Sequence, residues 1–282
     1  MSFLETMIND MCNLGLESGF ANGLKQVVLF TAGGVGQQIV EIMKNTTFAI
    51  GASLLTLFML MELVTMVNRS NSSEAGLSGV RLPANVLIKF GIYSILFCKI
   101  PVILGGIEAI SVEIATGISN SNFNVGVGID INQTNTIANA IEQLDFMEKI
   151  FTYIVIIVTW LFCHLVEAII NVTAIFRTFE LCLLLLFSPI PIATLPSTEF
   201  RQSAINFLKT FTAVCLQASA IIACFMIFST LIGSNLIANL ETSVDVSKFV
   251  CSALVNNIMY TCALAASVFS SGKIIKQIIN AI

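Results

Sequence analysis

The sequence predicts an all-α polytopic membrane protein with five to six transmembrane helices. Hydrophobic residues make up 56% of the 282 residues, charged residues make up 11%, and the mean hydropathy is +0.91. In the longest apolar run, residues 151–195, only four side chains are acidic or basic: His164, Glu167, Arg177 and Glu180. A helix needs about 20 apolar residues to cross the hydrocarbon core of a bilayer. A water-soluble helix of that length would carry a polar face.

The remaining composition excludes several classes of function. The net charge of -4 is spread along the chain without a basic run, so no nucleic-acid-reading surface is predicted. Six of the eight cysteines lie inside apolar segments, where cysteine packs as a small hydrophobic residue. Their spacing matches no zinc-binding pattern. We therefore predict no metal, no cofactor and no disulfide framework.

Residues 1–45 are predicted to form an N-terminal amphipathic helical region. Apolar residues recur every three or four positions over residues 2–17, which gives one apolar stripe on a helix. A second amphipathic stretch covers residues 24–43 and contains several glycines. Acidic residues near the start argue against a cleavable signal peptide. Such helices are too polar to span and suit the bilayer surface or a neighbouring helix.

Residues 46–107 are predicted to hold the first two spans. The first covers residues 47–67, and a polar loop over residues 68–83 follows it. The second runs from residue 84 to about residue 106 and is predicted to kink at Pro101.

Residues 108–148 are predicted to form an extracytoplasmic loop and helix. Between residues 105 and 148 there are six acidic residues and no lysine or arginine. Within this loop, apolar residues alternate with polar residues or glycine, which is the pattern of a half-buried strand. The apolar positions are Phe123, Val125, Val127, Ile129 and Ile131. A lone strand requires a partner, so this short strand-like segment is predicted to contact another strand, subunit or protein.

Residues 149–282 are predicted to form a C-terminal membrane bundle. Its clear spans cover residues 150–170, 207–231 and 251–269. Between them, the apolar segment 176–196 is broken in its second half by Pro189, Pro191 and Pro196. This segment either crosses the membrane fully, giving six spans, or dips and returns, giving five.

The distribution of lysine and arginine predicts the orientation. The loop over residues 69–89 contains three cationic residues and the loop over residues 107–148 contains none, so the first loop is predicted to be cytoplasmic. The N-terminus is then outside. With five spans the C-terminus is inside together with the cationic residues that precede it, which favours five over six.

Six ionisable residues are predicted to lie within the membrane: Glu62, Lys99, His164, Glu167, Arg177 and Glu180. Each costs roughly 2.5–3.5 kcal/mol at the bilayer centre, so each should pair or face water. His164 shares a helix face with Glu167, and Arg177 shares one with Glu180. Glu62 and Lys99 are predicted to pair across helices. Two interpretations remain open: these groups line a hydrated path or subunit contact, or they are packing pairs and snorkelling side chains.

Most of the chain resembles the TrbL-like family, the polytopic membrane subunit of type IV secretion and conjugative DNA-transfer machines. The resemblance rests on the order of spans and loops and on a diffuse signature over residues 176–217. This signature contains the run Ser188-Pro189-Ile190-Pro191-Ile192-Ala193-Thr194-Leu195-Pro196, then Arg201, Phe207-Leu208-Lys209 and Leu216-Gln217. The short, Asn- and Ile-rich chain resembles versions carried by integrative conjugative elements of Gram-positive bacteria.

The resemblance implies a non-enzymatic channel or scaffold subunit in the cytoplasmic membrane, assembled as a homo-oligomeric ring. It implies partner ATPases, other conjugation membrane subunits, and single-stranded DNA with its relaxase, or a protein, as cargo. One alternative is a secondary transporter of a small solute that uses the broken helix around Arg177 and Glu180. Another is a holin-like pore, which the length and number of spans disfavour.

Overall fold

The structure is a computed structural model and describes residues 34–71, 81–120, 145–240 and 246–279. Within these ranges the backbone forms helices and turns and no strand, which confirms the predicted all-α membrane fold. In chain order the helices are α1 (Gly34–Asn45), α2 (Thr47–Asn71), α3 (Arg81–Cys98), α4 (Ile100–Asn120), α5 (Phe146–Phe187), α6 (Pro189–Ile192), α7 (Arg201–Leu240) and α8 (Val246–Ile278). The strand predicted over residues 123–131 lies outside the described residues.

Five stretches of the described helices are long and apolar enough to cross a bilayer. They are Thr47–Asn68, Ile100–Ile118, Phe146–Phe187, Arg201–Phe228 and Ile258–Ile278. This number lies within the predicted range, and the chain is a multi-pass membrane protein. Half of the most apolar stretch of α7 is buried within the chain, against 22% to 28% for the other four. Among these five helices α7 is therefore the most enclosed.

The second span lies further along the chain than the sequence predicted. Instead of one kinked helix over residues 84–106, α3 ends before Lys99 and α4 begins after it. The backbone N–H of Lys99 donates to the carbonyls of Ile95 and Leu96, both at 3.1 Å, and so closes α3. Pro101 occupies the first turn of α4, where its missing N–H breaks no intrahelical bond. The proline therefore starts a helix rather than kinking one.

Helix α5 joins two segments that the sequence treated separately. It begins at Phe146, whose backbone N–H donates to the Asp145 carboxylate at 3.0 Å, an N-terminal cap. It then continues without a break for 42 residues, to Phe187. At 1.5 Å per residue it is about 63 Å long, roughly twice the hydrocarbon thickness. A continuous helix crosses a membrane once, so the segment that includes Arg177 and Glu180 does not form a separate crossing.

The chain divides into two compact units, each with its own hydrophobic core. The first unit contains the described residues of Glu113–Phe176 and Gln217–Gly272. Its core is formed by Ala115, Val166, Ile170, Ala174, Ile221, Ile222, Phe228, Leu264 and Val268. Helices α4, α5, α7 and α8 all contribute to this core.

The second unit contains the described residues of Leu29–Val112, Arg177–Leu216 and Lys273–Ile282. Its core is formed by Leu55, Phe97, Ile100, Leu104, Leu181, Leu185, Ile192, Ala193, Phe211, Val214 and Cys215. Residues from α6 and the turn after it belong to this core. The connection between α5 and α7, which contains Pro189 and Pro191, is therefore packed inside the second unit.

Candidate functional site

A group of polar residues lies buried in the second unit at the level of the membrane spans. We call it the Arg177 cluster and define it as Glu108 and Ser111 of α4, Arg177 of α5 and the backbone carbonyl of Cys215 in α7. The Arg177 Nη2 donates to the Cys215 carbonyl at 3.1 Å, and the Ser111 hydroxyl donates to the same oxygen at 2.6 Å. One helix carbonyl thus accepts from two other helices. The cluster links three of the spanning helices by polar contacts.

Arg177 is only 7% exposed, which is unusual for a guanidinium. Among the described residues its Nε has no hydrogen-bond partner. Leaving a buried donor unpaired costs about 1–3 kcal/mol, and more for a charged group. Buried charges in membrane helices generally mark functional positions for this reason. Arg177 is thus a deeply buried guanidinium, one of whose donors has no partner among the described residues.

The two acidic residues of α4 were predicted to lie in the extracytoplasmic loop. In the structure both belong to the second span, and Glu108 is buried while Glu113 is exposed. Glu108 also lies within electrostatic range of the Cys215 side chain. Neither Glu108 nor Ser111 was predicted from the sequence to belong to the site. A hydrophobic window shifted to residues 100–118 would have included them.

The predicted pairs are realised only in part. His164 and Glu167 share a hydrogen bond of 3.1 Å between Nδ1 and Oε2, as their spacing on α5 predicted. The ring of His164 also meets that of Trp160 edge to face at 4.5 Å. Glu180 instead forms an ion pair with Lys276 of α8, with 3.8 Å between Oε1 and Nζ. Arg177 and Glu180 thus each have a partner on another helix, and these contacts lend no support to the transporter alternative.

Glu62 is buried near the end of the first span, but its partner is not Lys99. One carboxylate oxygen, Oε2, accepts from both the backbone N–H and the hydroxyl of Thr198, each at 3.2 Å. Lys99 is exposed at the break between α3 and α4. The predicted pairing of Glu62 with Lys99 is therefore replaced by a contact with the loop that precedes α7. Threonine is common in loops and carries no charge, so the sequence did not identify Thr198 as the partner of Glu62.

The proline-broken segment, residues 188–200, forms a tight connection between α5 and α7. Pro189 has no N–H to offer the Leu185 carbonyl four residues earlier. That carbonyl accepts instead from the Ser188 hydroxyl at 2.8 Å and the Ser188 N–H at 3.3 Å. The Thr47 hydroxyl of α2 donates to the neighbouring Leu186 carbonyl at 2.6 Å. The broken end of α5 is thus satisfied by side chains, as a buried helix end requires.

Helices α2 and α3 hold the proline-broken segment on its other sides. Gly51 of α2 lies so close to Pro189 that a Cβ atom there would be 2.7 Å from the proline Cβ and 3.0 Å from its carbonyl oxygen. After the segment, the Arg201 Nη2 donates to the Tyr93 hydroxyl of α3 at 2.7 Å. Its Nε donates to the Leu195 carbonyl at 3.3 Å. These contacts make the segment a fixed part of the second unit.

Comparison with known proteins returns one family. The family model described as TrbL/VirB6 plasmid conjugal transfer like protein matches residues 31–189, more than half of the 282 residues. The matched region covers α1 to α5 and ends at Pro189. No curated protein and no solved structure matches the chain.

Proposed function

Because the chain belongs to the TrbL/VirB6 plasmid conjugal transfer-like family, we propose that it is a membrane subunit of a conjugative type IV secretion machine. In this role it is a non-enzymatic channel or scaffold component in the cytoplasmic membrane. Its cargo is single-stranded DNA with an attached relaxase, or a protein substrate. The observation that carries the proposal is the family match, because it covers α1 to α5 continuously.

The distribution of charge supports an orientation with the N-terminus outside and the C-terminus inside. Between the first two spans lie four cationic residues: Arg69, Arg81, Lys89 and Lys99. Residues 119–145, between the second and third spans, contain none. Short loops rich in lysine and arginine stay in the cytoplasm. With five crossings the C-terminal Lys273 and Lys276 are then cytoplasmic as well, in agreement with the same rule.

This orientation puts the proline-broken segment at the cytoplasmic side of the second unit. Residues 198–203 are exposed there, directly after a backbone that is fixed by Thr47, Gly51 and Glu62. Exposed loops on a rigid support are common sites of partner binding. We assign docking of the energy-supplying ATPases to this segment and to the loop over residues 68–83.

The buried polar groups suit a scaffold that keeps one arrangement of helices. Hydrogen bonds between membrane helices contribute on the order of 1 kcal/mol each. The Arg177 cluster and the Glu62–Thr198 contact each join separate helices or a helix and a loop in this way. In the proposed machine they hold the second unit in shape while further copies and other subunits complete the conduit.

A gene-deletion experiment tests the proposal. In a donor cell whose conjugative element encodes this chain, an in-frame deletion should abolish transfer to recipients. The full-length chain supplied in trans should restore it. Nicking of the DNA at the transfer origin should continue, because that step precedes passage through the membrane. Normal transfer frequency in the deletion strain would refute the proposed function.

A second measurement separates a conduit from a regulator. In donors fixed with formaldehyde during mating, immunoprecipitation of this chain should recover the transferred strand and not an unrelated region of the same element. Recovery should be lost when the partner ATPases are inactivated. If the chain is required for transfer but never crosslinks to the transferred strand, it does not form part of the conduit. Its role in the machine would then be that of a scaffold.

A further inference from the structure

One side of α5 carries a continuous stripe of polar and aromatic residues. We call it the α5 stripe, and it consists of Tyr153, Ile157, Trp160, His164, Glu167 and Asn171. These residues alternate at spacings of four and three, the heptad spacing that places side chains along one seam of a helix. Five of the six have a polar atom in the side chain. The next side of the helix is wholly apolar, as Val158, Leu161 and Leu165 show.

The α5 stripe is only partly covered by its own chain. In the first unit α5 packs through a different side, on which Cys163, Val166 and Ile170 are buried. On the stripe, the side chains of His164 and Glu167 remain 40% and 31% exposed. Tyr153 and Asn171 are also partly exposed. The stripe therefore presents polar side chains that its own chain covers only in part.

Lipid cannot cover such a stripe without a large cost. His164 and Glu167 lie near the middle of the 42 residues of α5. Ionisable side chains in this position almost always face protein or water rather than acyl chains. An apolar helix of another protein would offer this hydrogen-bonded pair no further polar contact.

We propose that the α5 stripe is the seam at which this chain packs against a second copy of itself. The inference deepens the proposed function, since it assigns the surface through which the membrane subunit forms an oligomer. The stripe contains partly exposed donors in Tyr153 and Asn171 and a partly exposed acceptor in Glu167, so two copies of it can hydrogen-bond to each other. All copies insert in the same direction, and in a parallel heptad seam His164 of one copy lies one layer from Glu167 of the other. Polar residues at such positions join membrane helices.

Photo-crosslinking in membranes tests the seam. Two differently tagged full-length copies are expressed in a host without any conjugation components, with p-benzoylphenylalanine at Ile157 of one copy. The matched control carries the same group at Val158, the next residue, which faces about 100° away on the helix. Both positions are accessible, with exposures of 48% and 59%. Ile157 should yield a crosslink between the two tags, several-fold stronger than the crosslink from Val158.

Two results would overturn the inference: equal or stronger crosslinking between copies from Val158, or crosslinking from Ile157 only to other proteins. As a second variant, replacing both His164 and Glu167 with leucine should reduce the Ile157 crosslink at unchanged abundance in the membrane. An undiminished crosslink would show that the polar pair does not hold the seam.

The crosslinking host contains no transfer machinery, so the result is independent of the proposed function. If copies do not crosslink but deletion still abolishes transfer in the donor, only the seam is refuted. If transfer continues without the chain, the proposed function is refuted, whether or not copies of the chain crosslink to each other.

Discussion

Gly51 illustrates how single residues fix the proline-broken segment. Its missing Cβ allows the backbone of α2 to approach Pro189 and Phe97, where an added carbon would come within 2.7 Å and 2.8 Å. The nearest atoms belong to a proline ring and an aromatic ring, neither of which can swing aside. A glycine near the start of a membrane span is thus explained by this close approach rather than by flexibility.

Replacing Gly51 with alanine should lower the stability of the second unit by about 1–3 kcal/mol, the usual cost of overpacking. The measurement is the thermal unfolding of the protein in detergent. Gly106→Ala is the matched control, since nothing lies within 4 Å of the position of its Cβ. That control should be neutral or stabilising, because alanine is the better helix former. Equal losses from both substitutions would contradict the described packing.

The contact between Glu62 and Thr198 allows a second test on single residues. Glu62→Ala removes the acceptor, and Thr198→Val removes only the hydroxyl donor. If the two side chains interact as described, the double variant should lose less stability than the two single losses added together. The expected coupling is about 0.5–3 kcal/mol, the range for directly interacting residues. Strict additivity of the two losses would refute the contact, and Lys99→Ala should cost little because Lys99 is exposed.

Helix α7 has small residues at buried positions around its axis. Ala204, Ala213 and Ala218 are all buried, and small residues at buried positions are typical of membrane helix packing. The same helix contributes residues to both cores, Phe211 and Val214 to one and Ile221 and Phe228 to the other.

Ala213→Leu should therefore destabilise the protein by about 1–3 kcal/mol through overpacking. Ile227→Leu, at a position on α7 that is 60% exposed, should be nearly neutral. Size-exclusion profiles and unfolding temperatures in detergent report both effects. A neutral Ala213→Leu would mean that there is free space at this position of α7, contrary to the burial of Ala213.

The sequence predicted elements well where apolar runs have clear ends. The first span was predicted over residues 47–67, and the apolar stretch covers Thr47–Asn68, because Asn68 and Arg69 end an unbroken apolar run. The break at Lys99 was missed, since a proline in the first turn of a helix and a proline within a helix look alike in a sequence. Asn171 and the residues after it contain no glycine or proline, so α5 continues through the predicted boundary.

The polar partners were harder to predict than the helices. The His164–Glu167 pair follows from spacing on one helix and was predicted. The contacts of Glu62 with Thr198, Arg177 with Cys215 and Glu180 with Lys276 join residues far apart in the chain. Such contacts depend on which helices are neighbours, and hydrophobic patterns do not specify this. Glu108 was not predicted to lie within a span, because an acidic residue close to Gly105 and Gly106 is typical of a loop.

For the molecule as a whole, five apolar stretches among the described helices and an uneven distribution of cationic residues support the proposed threading through the membrane. The first connection, residues 69–99, contains four cationic residues, and the second, residues 119–145, contains none. The proposed threading assigns the proline-broken segment to the cytoplasmic side and residues 123–131 to the outside. If the chain crossed the membrane in the opposite direction, both of these assignments would be wrong.

Cysteine labelling from outside intact cells therefore tests the proposed threading of the chain through the membrane. Val125→Cys and Ser73→Cys report the two connections, and the unaltered chain gives the background of its own cysteines. A membrane-impermeant maleimide should label Val125→Cys in intact cells and Ser73→Cys only after lysis. Labelling of Ser73→Cys in intact cells, with Val125→Cys protected until lysis, would contradict the threading and the secretion role built on it.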